Sequence, residues 1–287
     1  MKSFPVPVRM VGAGSHVEEE ELQYLDMPRD MRTFRMPLVP EKADSEALTG
    51  ARDLLAAFLT QLNRWTPGRG ANPRLDMGGV TPATLAITNE MLGDGEVSIQ
   101  VNGSRRLRIQ ESVFTGLWRV VEFDRDGGLL ADWIEVGPLP EVVVEAARAG
   151  ACIGVPAVNI PPGAMNSPAL LHELGAQISM RRPGTSAHVL NLTLFPMTPE
   201  DHQVLESALP VGSVAIISRG FGNCRITSTG SLDIWRVQYF NSMNTLILNT
   251  IEVVDVPEVA LAADEDLVDS RGRLAELIDW MSESCAD

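Results

Sequence analysis

Residues 95–142, GEVSIQVNGSRRLRIQESVFTGLWRVVEFDRDGGLLADWIEVGPLPEV, and residues 212–259, GSVAIISRGFGNCRITSTGSLDIWRVQYFNSMNTLILNTIEVVDVPEV, decide how this chain is read. The second stretch lies over the first without a gap at an offset of 117 residues, and 17 of the 48 positions agree. Average residue frequencies give roughly three agreements over such a span, so one unit is read as occurring twice. Trp118-Arg119-Val120 falls on Trp235-Arg236-Val237, Ile134-Glu135-Val136 on Ile251-Glu252-Val253, and Pro140-Glu141-Val142 on Pro257-Glu258-Val259. Within the first copy, Val97 to Val101, Leu107 to Ile109, Leu117 to Phe123 and Leu129 to Val136 are short, β-branched runs separated by turn residues. They predict four consecutive antiparallel strands. Arg125-Asp126-Gly127-Gly128 forms a turn between the last two, with Asn241-Ser242-Met243-Asn244 as its counterpart.

The same offset works upstream, where Thr81-Pro82 falls on Thr198-Pro199. Threonine caps a helix by accepting from a free backbone N–H, and proline at the first helical position gives up a donor the helix does not use. Two longer helices precede these, from about Thr49 to Trp65 and from Ser167 to Arg181. Ala51, Leu55, Phe58, Leu62 and Trp65 form an apolar stripe at three- and four-residue spacing, as do Leu170, Leu171, Leu174 and Ile178. Both helices stop near Pro-Gly pairs, Pro67-Gly68 and Pro183-Gly184. His188 to Phe195 adds a strand before Thr198. Helices interrupting consecutive antiparallel strands make the fold class α+β, with two tandem pseudo-symmetric repeats, each an antiparallel sheet with packed helices.

Five segments follow from this reading. Residues 1–44, interrupted by Pro5, Pro7, Pro28, Pro37 and Pro40, form an extended N-terminal segment. Residues 45–149 are the first α+β repeat, 150–166 a proline- and glycine-bearing linker, and 167–264 the second repeat. Residues 265–287 form an acidic C-terminal helix with Leu267, Leu274, Leu277, Ile278 and Met281 on its apolar stripe.

Composition narrows the function classes. The chain has 287 residues, 23 Lys+Arg against 38 Asp+Glu and a net charge of −15. That charge argues against a nucleic-acid partner and against an anionic membrane surface. Eleven acids and two arginines lie between Glu252 and Asp287, which places −9 of the −15 there, a candidate for meeting a basic partner. No apolar run approaches the ~18 residues of a membrane helix, and the N-terminus lacks a signal-peptide core. Cys152, Cys224 and Cys285 are far apart and match no metal or redox spacing, which suits a cytoplasmic protein with reduced thiols.

A search for chemistry finds little. His16, His172, His188 and His202 have no second ligand at helical spacing, and Gly12-Ala13-Gly14-Ser15 is not framed by a βα unit. No P-loop or GxSxG occurs. No catalytic residue, cofactor site or metal site is therefore assigned. Arg119 with Glu135, and Arg236 with Glu252, recur at the same spacing; if each hairpin centres on Gly127 or Asn244, each couple makes a structural cross-strand ion pair. The turn Asn241, Ser242, Met243 and Asn244 replaces a charged, glycine-rich turn with amides and a soft methionine. It reads either as a packed turn or as a partner-binding surface.

The run from Trp235 to Val259, followed by Ala262-Ala263-Asp264-Glu265-Asp266-Leu267 and Arg273-Leu274-Ala275-Glu276-Leu277-Ile278, resembles the C-terminal signature of the HupH/HyaF/HoxQ family of hydrogenase expression/formation proteins. Phe4-Pro5-Val6-Pro7, Val11-Gly12, the Glu18–Glu21 run and Met36-Pro37-Leu38-Val39-Pro40-Glu41 fit the same family. The resemblance implies a non-enzymatic accessory chaperone that binds the small, iron–sulfur subunit precursor of an uptake [NiFe]-hydrogenase before twin-arginine export. It also implies a thioredoxin-fold companion as a second partner. Two rival roles are an iron–sulfur or metal carrier, and a scaffold linking that companion to the hydrogenase.

Overall fold

Thr81 and Thr198 start their helices as the sequence dictates. The Thr81 hydroxyl accepts from the Thr84 N–H at 3.3 Å, opening α2 (Pro82–Leu92). Thr198 accepts from the Asp201 N–H, and the Asp201 carboxylate accepts from the Thr198 N–H at 3.0 Å, a reciprocal capping box that opens α5 (Pro199–Ala208). The computed structural model describes residues 45–66, 70–220 and 222–284; the expected extended segment over residues 1–44 and Cys285 lie outside them.

Four other helices are present: α1 (Ser45–Arg64), α3 (Glu141–Arg148), α4 (Ser167–Met180) and α6 (Asp264–Ser284). The strands are β1 (Arg74–Asp76), β2 (Val97–Asn102), β3 (Arg106–Glu111), β4 (Leu117–Phe123), β5 (Leu129–Val136), β6 (His188–Asn191), β7 (Val211–Ser218), β8 (Asn223–Thr229), β9 (Ile234–Phe240) and β10 (Leu246–Val253). All ten join one antiparallel sheet in the order β1-β5-β4-β3-β2-β7-β8-β9-β10-β6. The fold is therefore α+β, a mixed helix and antiparallel-sheet architecture with a C-terminal helix. The β2–β7 pairing in the middle of the sheet joins the two halves.

Three elements depart from the sequence reading. β6 stops at Asn191, whose side chain accepts from the Thr193 N–H at 3.0 Å and turns Leu192–Leu194 into a single 3-10 turn. Helix α3 was hidden by its three valines, strand formers by propensity; Val142 and Val143 are fully buried beneath the sheet, and that packing overrides propensity. Strand β1 is too short to signal itself.

Directly paired residues project to the same face, so the register sorts every side chain. One face carries Ile99, Val101, Leu107, Ile109, Trp118, Val120, Val214, Ile216, Ile226, Trp235 and Val237, covered by α3. Among the described residues the opposite face is covered only at its flanks. At one flank α1, α2 and α6 pack Leu55, Phe58, Leu62, Met91, Leu274 and Met281 against Leu117, Ile134 and Val136. At the other, α4 and α5 pack Leu170, Leu174 and Leu205 against Ile234, Ile251 and Val253. The acidic C-terminal helix thus returns to the first half and supplies part of its core.

The register also corrects the two expected ion pairs. Arg119 lies opposite Ile134, and Glu135 opposite Trp118, so Arg119 and Glu135 point to opposite faces. Arg236 likewise lies opposite Ile251, and Glu252 opposite Trp235. A β-bulge is the cause: between Glu122 and Phe123 on β4 the partner advances from Ala131 to Leu129, and between Leu246 and Leu248 on β10 one residue is skipped. One extra residue moves every side chain beyond it to the other face. Arg119 instead pairs with Asp132 at 2.7 Å and Glu135 with Arg74 at 2.9 Å. Arg236 donates to the Asn249 amide oxygen at 3.2 Å, and the Glu252 carboxylate accepts from the Thr250 hydroxyl at 3.3 Å.

Candidate functional site

Strand β3 alternates Arg106-Leu107-Arg108-Ile109-Gln110, and the alternation decides which surface each side chain meets. Leu107 and Ile109 are buried under α3; Arg106, Arg108 and Gln110 stand on the other face, in the gap between the two helical flanks. Continuing across the register, the same face receives Ser98 and Gln100 from β2, Arg119 and Val121 from β4, Ala215 and Ile217 from β7, Arg225 and Thr227 from β8, and Arg236 and Gln238 from β9. Five arginines thus share one floor that no described helix covers, and strands β2–β4 and β7–β9 contribute no carboxylate to it. In a chain with a net charge of −15 this is a local reversal of sign.

The floor is built the same way at both ends. The Arg108 guanidinium stacks over the Phe123 ring at 5.6 Å, and Arg225 over Phe240 at 5.7 Å. Beside each stack the bulge leaves apolar residues in solvent, with Leu129 and Leu130 at one end and Ile247 at the other. Each neighbouring turn is held by its first side chain. Asp124 accepts from the Asp126 and Gly128 N–H groups, and Asn241 from those of Met243 and Thr245. Gly127 and Asn244 both take positive φ, 88° and 56°, which glycine and asparagine tolerate best. A half-open cleft of about 340 Å³ lies against α2, lined by Asn89, Gln100, Arg108, Gln110 and Arg119 among others.

Asn241, Ser242, Met243 and Asn244 sit at the β9–β10 tip, and Met243 is 76% exposed. Arg119 lies on the arginine floor with its own carboxylate, Asp132, and Arg236 lies there beside Asn249. Glu135 and Glu252 are on the other face. Glu135 is fully buried; besides Arg74 it accepts from the Glu141 N–H at 2.6 Å, the Asn72 amide and the Trp133 indole, tying β1 and the start of α3 to β5. The arginine stacks were not singled out from the sequence, yet the offset of 117 already carries Arg108 to Arg225 and Phe123 to Phe240. Combining that offset with strand alternation would have found them.

The remaining titratable groups have structural surroundings. Asp201 is fully buried; burial acts to raise its pKa, but hydrogen bonds from the Ser167 N–H and hydroxyl and the Thr198 and Asn166 N–H groups outweigh it and hold the carboxyl well below the usual range. Burial pushes the Cys224 thiol up to about 11, which makes it a poor thiolate ligand. Cys152 is exposed, beside the Ser231 hydroxyl. His188 Nε2 lies 2.8 Å from Glu173. Arg148, Arg181, Asp233 and Asp255 form an ion network joining α3 and the end of α4 to the start of β9. Among the described residues no three His, Cys, Asp or Glu side chains converge on a metal-sized space, and no helix is long and apolar enough to cross a membrane.

Comparison with known proteins gives consistent matches. The family described as HupH hydrogenase expression protein, C-terminal conserved region, matches residues 48–149 and 164–281. The hydrogenase expression/formation protein HoxQ of Cupriavidus necator is 45% identical over 98% of this chain and 99% of its own length. The hydrogenase expression/formation protein HupH of Rhodobacter capsulatus is 42% identical over 97% and 98%. The hydrogenase-1 operon protein HyaF of Escherichia coli is 33% identical over 80% and 81%.

Proposed function

The chain belongs to the HupH family of hydrogenase expression proteins, and on that premise we propose that it is an accessory chaperone in hydrogenase maturation. It binds the precursor of the small, iron–sulfur subunit in the cytoplasm before twin-arginine export, covering immature surface without covalent chemistry of its own. The observation that carries this reading is the broad sheet floor that the described helices leave uncovered between two flanks, polar and arginine-rich in the middle and apolar at both bulges. Such a surface suits a protein segment better than a small substrate. Selective affinity for the immature subunit is sufficient: binding that is lost on maturation delays export until the clusters are in place. A thioredoxin-fold companion is the proposed second partner, and the Asn241–Asn244 tip, with Met243 exposed, the proposed contact.

We further propose that the two halves are copies of one α+β unit. The strand order is symmetric about the β2–β7 pair, and the bulges, the turn caps and the arginine–phenylalanine stacks recur 117 residues apart. The precursor reading is tested by co-purifying this chain from a hydrogenase-producing cell and sequencing the N-terminus of each bound chain. An uncleaved twin-arginine leader on a bound small subunit is expected; capture of processed subunit alone would overturn the reading. Whether the acidic C-terminal helix meets that leader cannot be judged by deleting it, because Leu267, Leu274 and Met281 belong to the core. Reversal of the exposed Asp264, Glu265 and Asp266 to lysine isolates the charge; unchanged precursor affinity would remove the helix from the contact.

A further inference from the structure

We propose that the cleft between the end of α2 and strands β2–β4 binds the free C-terminus of a polypeptide whose last side chain is apolar. The inference does not rest on the hydrogenase reading, since short synthetic peptides test it. Three observations carry it. The first is a guanidinium without a carboxylate. Arg108 and Arg119 both line the half-open space of about 340 Å³, the size of a small-ligand site. Arg119 is already neutralised: its Nε and one Nη donate to the two oxygens of Asp132 at 3.2 and 2.7 Å. Arg108 pairs with no carboxylate among the described residues. It rests over the Phe123 ring at 5.6 Å, a contact that anchors the side chain without cancelling its charge. An anchored guanidinium fork matches a carboxylate two oxygens at a time.

The second is the chemistry around that cation. Asn89, from the last turn of α2, and Gln100, from β2, bring primary amides to the same cleft. A primary amide both donates and accepts, as the peptide unit next to a chain terminus requires. Val121, Ala215 and Ile217 supply apolar surface for the last side chain. Besides the two arginines, the charged residue of the lining is Asp94, exposed just beyond α2. A ligand with one carboxylate therefore fits, whereas a second anionic group would meet Asp94. The third is divergence along the chain. At the positions 117 residues on, Arg108 is matched by another arginine, but Asn89, Ser98 and Gln100 are replaced by Glu206, Ala215 and Ile217. Three uncharged hydrogen-bonding side chains give way to a carboxylate and two apolar groups. The arginine–phenylalanine stack is common to both halves and serves the frame. The amides belong to the first half alone, and they are what a peptide terminus needs beyond a cation.

The test titrates the full natural chain with acetylated tetrapeptides ending in valine, leucine or phenylalanine, each as the free acid and as the C-terminal amide. Binding is followed by proton–nitrogen NMR correlation spectra. The free acids are expected to bind at least about tenfold tighter than their amides, the worth of a hydrogen bond to a charged group. Arg108→Gln should remove that preference. Arg106→Gln takes the same charge from the same strand and face but outside the cleft, and should leave the preference intact. Glutarate, a free dicarboxylate, separates a site for small organic acids from a site for a chain terminus and should bind more weakly than the tightest peptide acid. Equal affinity for acid and amide forms, an equal loss in the two arginine variants, glutarate binding as tightly as the peptides, or no binding at millimolar peptide would each overturn the proposal. Should Arg108→Gln fail to fold, the comparison of acid with amide on the natural chain decides.

Discussion

Replacing Glu111 by glutamine should stabilise the protein above neutral pH and leave it unchanged in acid. Glu111 ends β3 with 6% of its surface exposed, opposite Trp118. Burial, with the nearby charges of Glu96 and Asp266, pushes its carboxyl from the ordinary 4.5 to about 7, against hydrogen bonds from the Gly116 and Val97 backbone that favour the ionised form. A carboxyl whose folded pKa exceeds its unfolded value binds its proton more tightly in the fold. The wild-type protein therefore loses stability as the pH rises from about 4.5 through 7, and the loss is complete above that. At ~1.36 kcal/mol per pK unit the full penalty is about 3 kcal/mol, an order-of-magnitude figure. Glutamine keeps the shape and an accepting oxygen but carries no charge. Urea unfolding at about pH 4 should give closely similar stabilities for Glu111→Gln and wild type, and at about pH 8.5 the variant should be more stable by ~2–3 kcal/mol. For a chain of this length each kcal/mol is about 2–4 °C in Tm. A difference that is flat with pH, or a wild type that gains stability on going alkaline, would refute the reasoning.

Asp201→Ala removes the carboxylate that caps both α4 and α5 and leaves buried N–H groups of Asn166, Ser167 and Thr198 without their acceptor; a loss of about 3 kcal/mol or more is expected by chemical denaturation. Because the Asp201 pKa is depressed, its contribution is present above the unfolded value of 3.8 and is lost as the pH falls below it, so wild type and Asp201→Ala should converge in strong acid. Gly116→Ala should cost about 2–4 kcal/mol in thermal unfolding, since Gly116 has φ of 85° and a Cβ there would collide with the Leu267 side chain of α6. A double-mutant cycle on Arg119 and Asp132 should return a coupling of ~0.2–1 kcal/mol, while the same cycle on Arg119 and Glu135 should return none, because those two side chains lie on opposite faces. Met243→Asp should abolish the proposed partner complex with little change in Tm, as the side chain is 76% exposed; a large fall in Tm would make that tip structural.

What could be read from the sequence was whatever local chemistry determines. The Thr-Pro pairs fixed the starts of α2 and α5, and Leu117–Phe123 and Leu129–Val136 were bounded correctly because turn residues flank them. What escaped depends on contacts distant in sequence. The valines of α3 signal strand until the sheet surface above them is known, and the partners of Arg119 and Glu135 depend on a bulge that no propensity encodes. The centre of a hairpin estimated from its glycine misplaces the register by one, and one residue suffices to send Glu135 to the buried face. The arginine floor lay between these cases: alternation in Arg106-Leu107-Arg108-Ile109 was visible, but that no described helix would cover the opposite face was not.

The two ends of that floor differ in a way that bears on where a partner binds. Arg119 finds a carboxylate in Asp132, whereas at the matching position 117 residues on Arg236 finds the amide of Asn249. An amide oxygen accepts the hydrogen bond but leaves the charge, while Asn223 stands where the first end has Arg106; three arginines with Asp132 and two arginines without a carboxylate from these positions therefore carry the same formal charge. The β9–β10 end carries the exposed Met243 and Ile247, where the other tip has Asp126 and Arg125 beside its leucines. What separates the ends is therefore the tip and not the formal charge of the floor: Met243 and Ile247 stand among amides and hydroxyls, Leu129 and Leu130 beside charged side chains. An apolar partner surface meets no charged neighbour at the Asn241–Asn244 tip, and the proposed contact would start there.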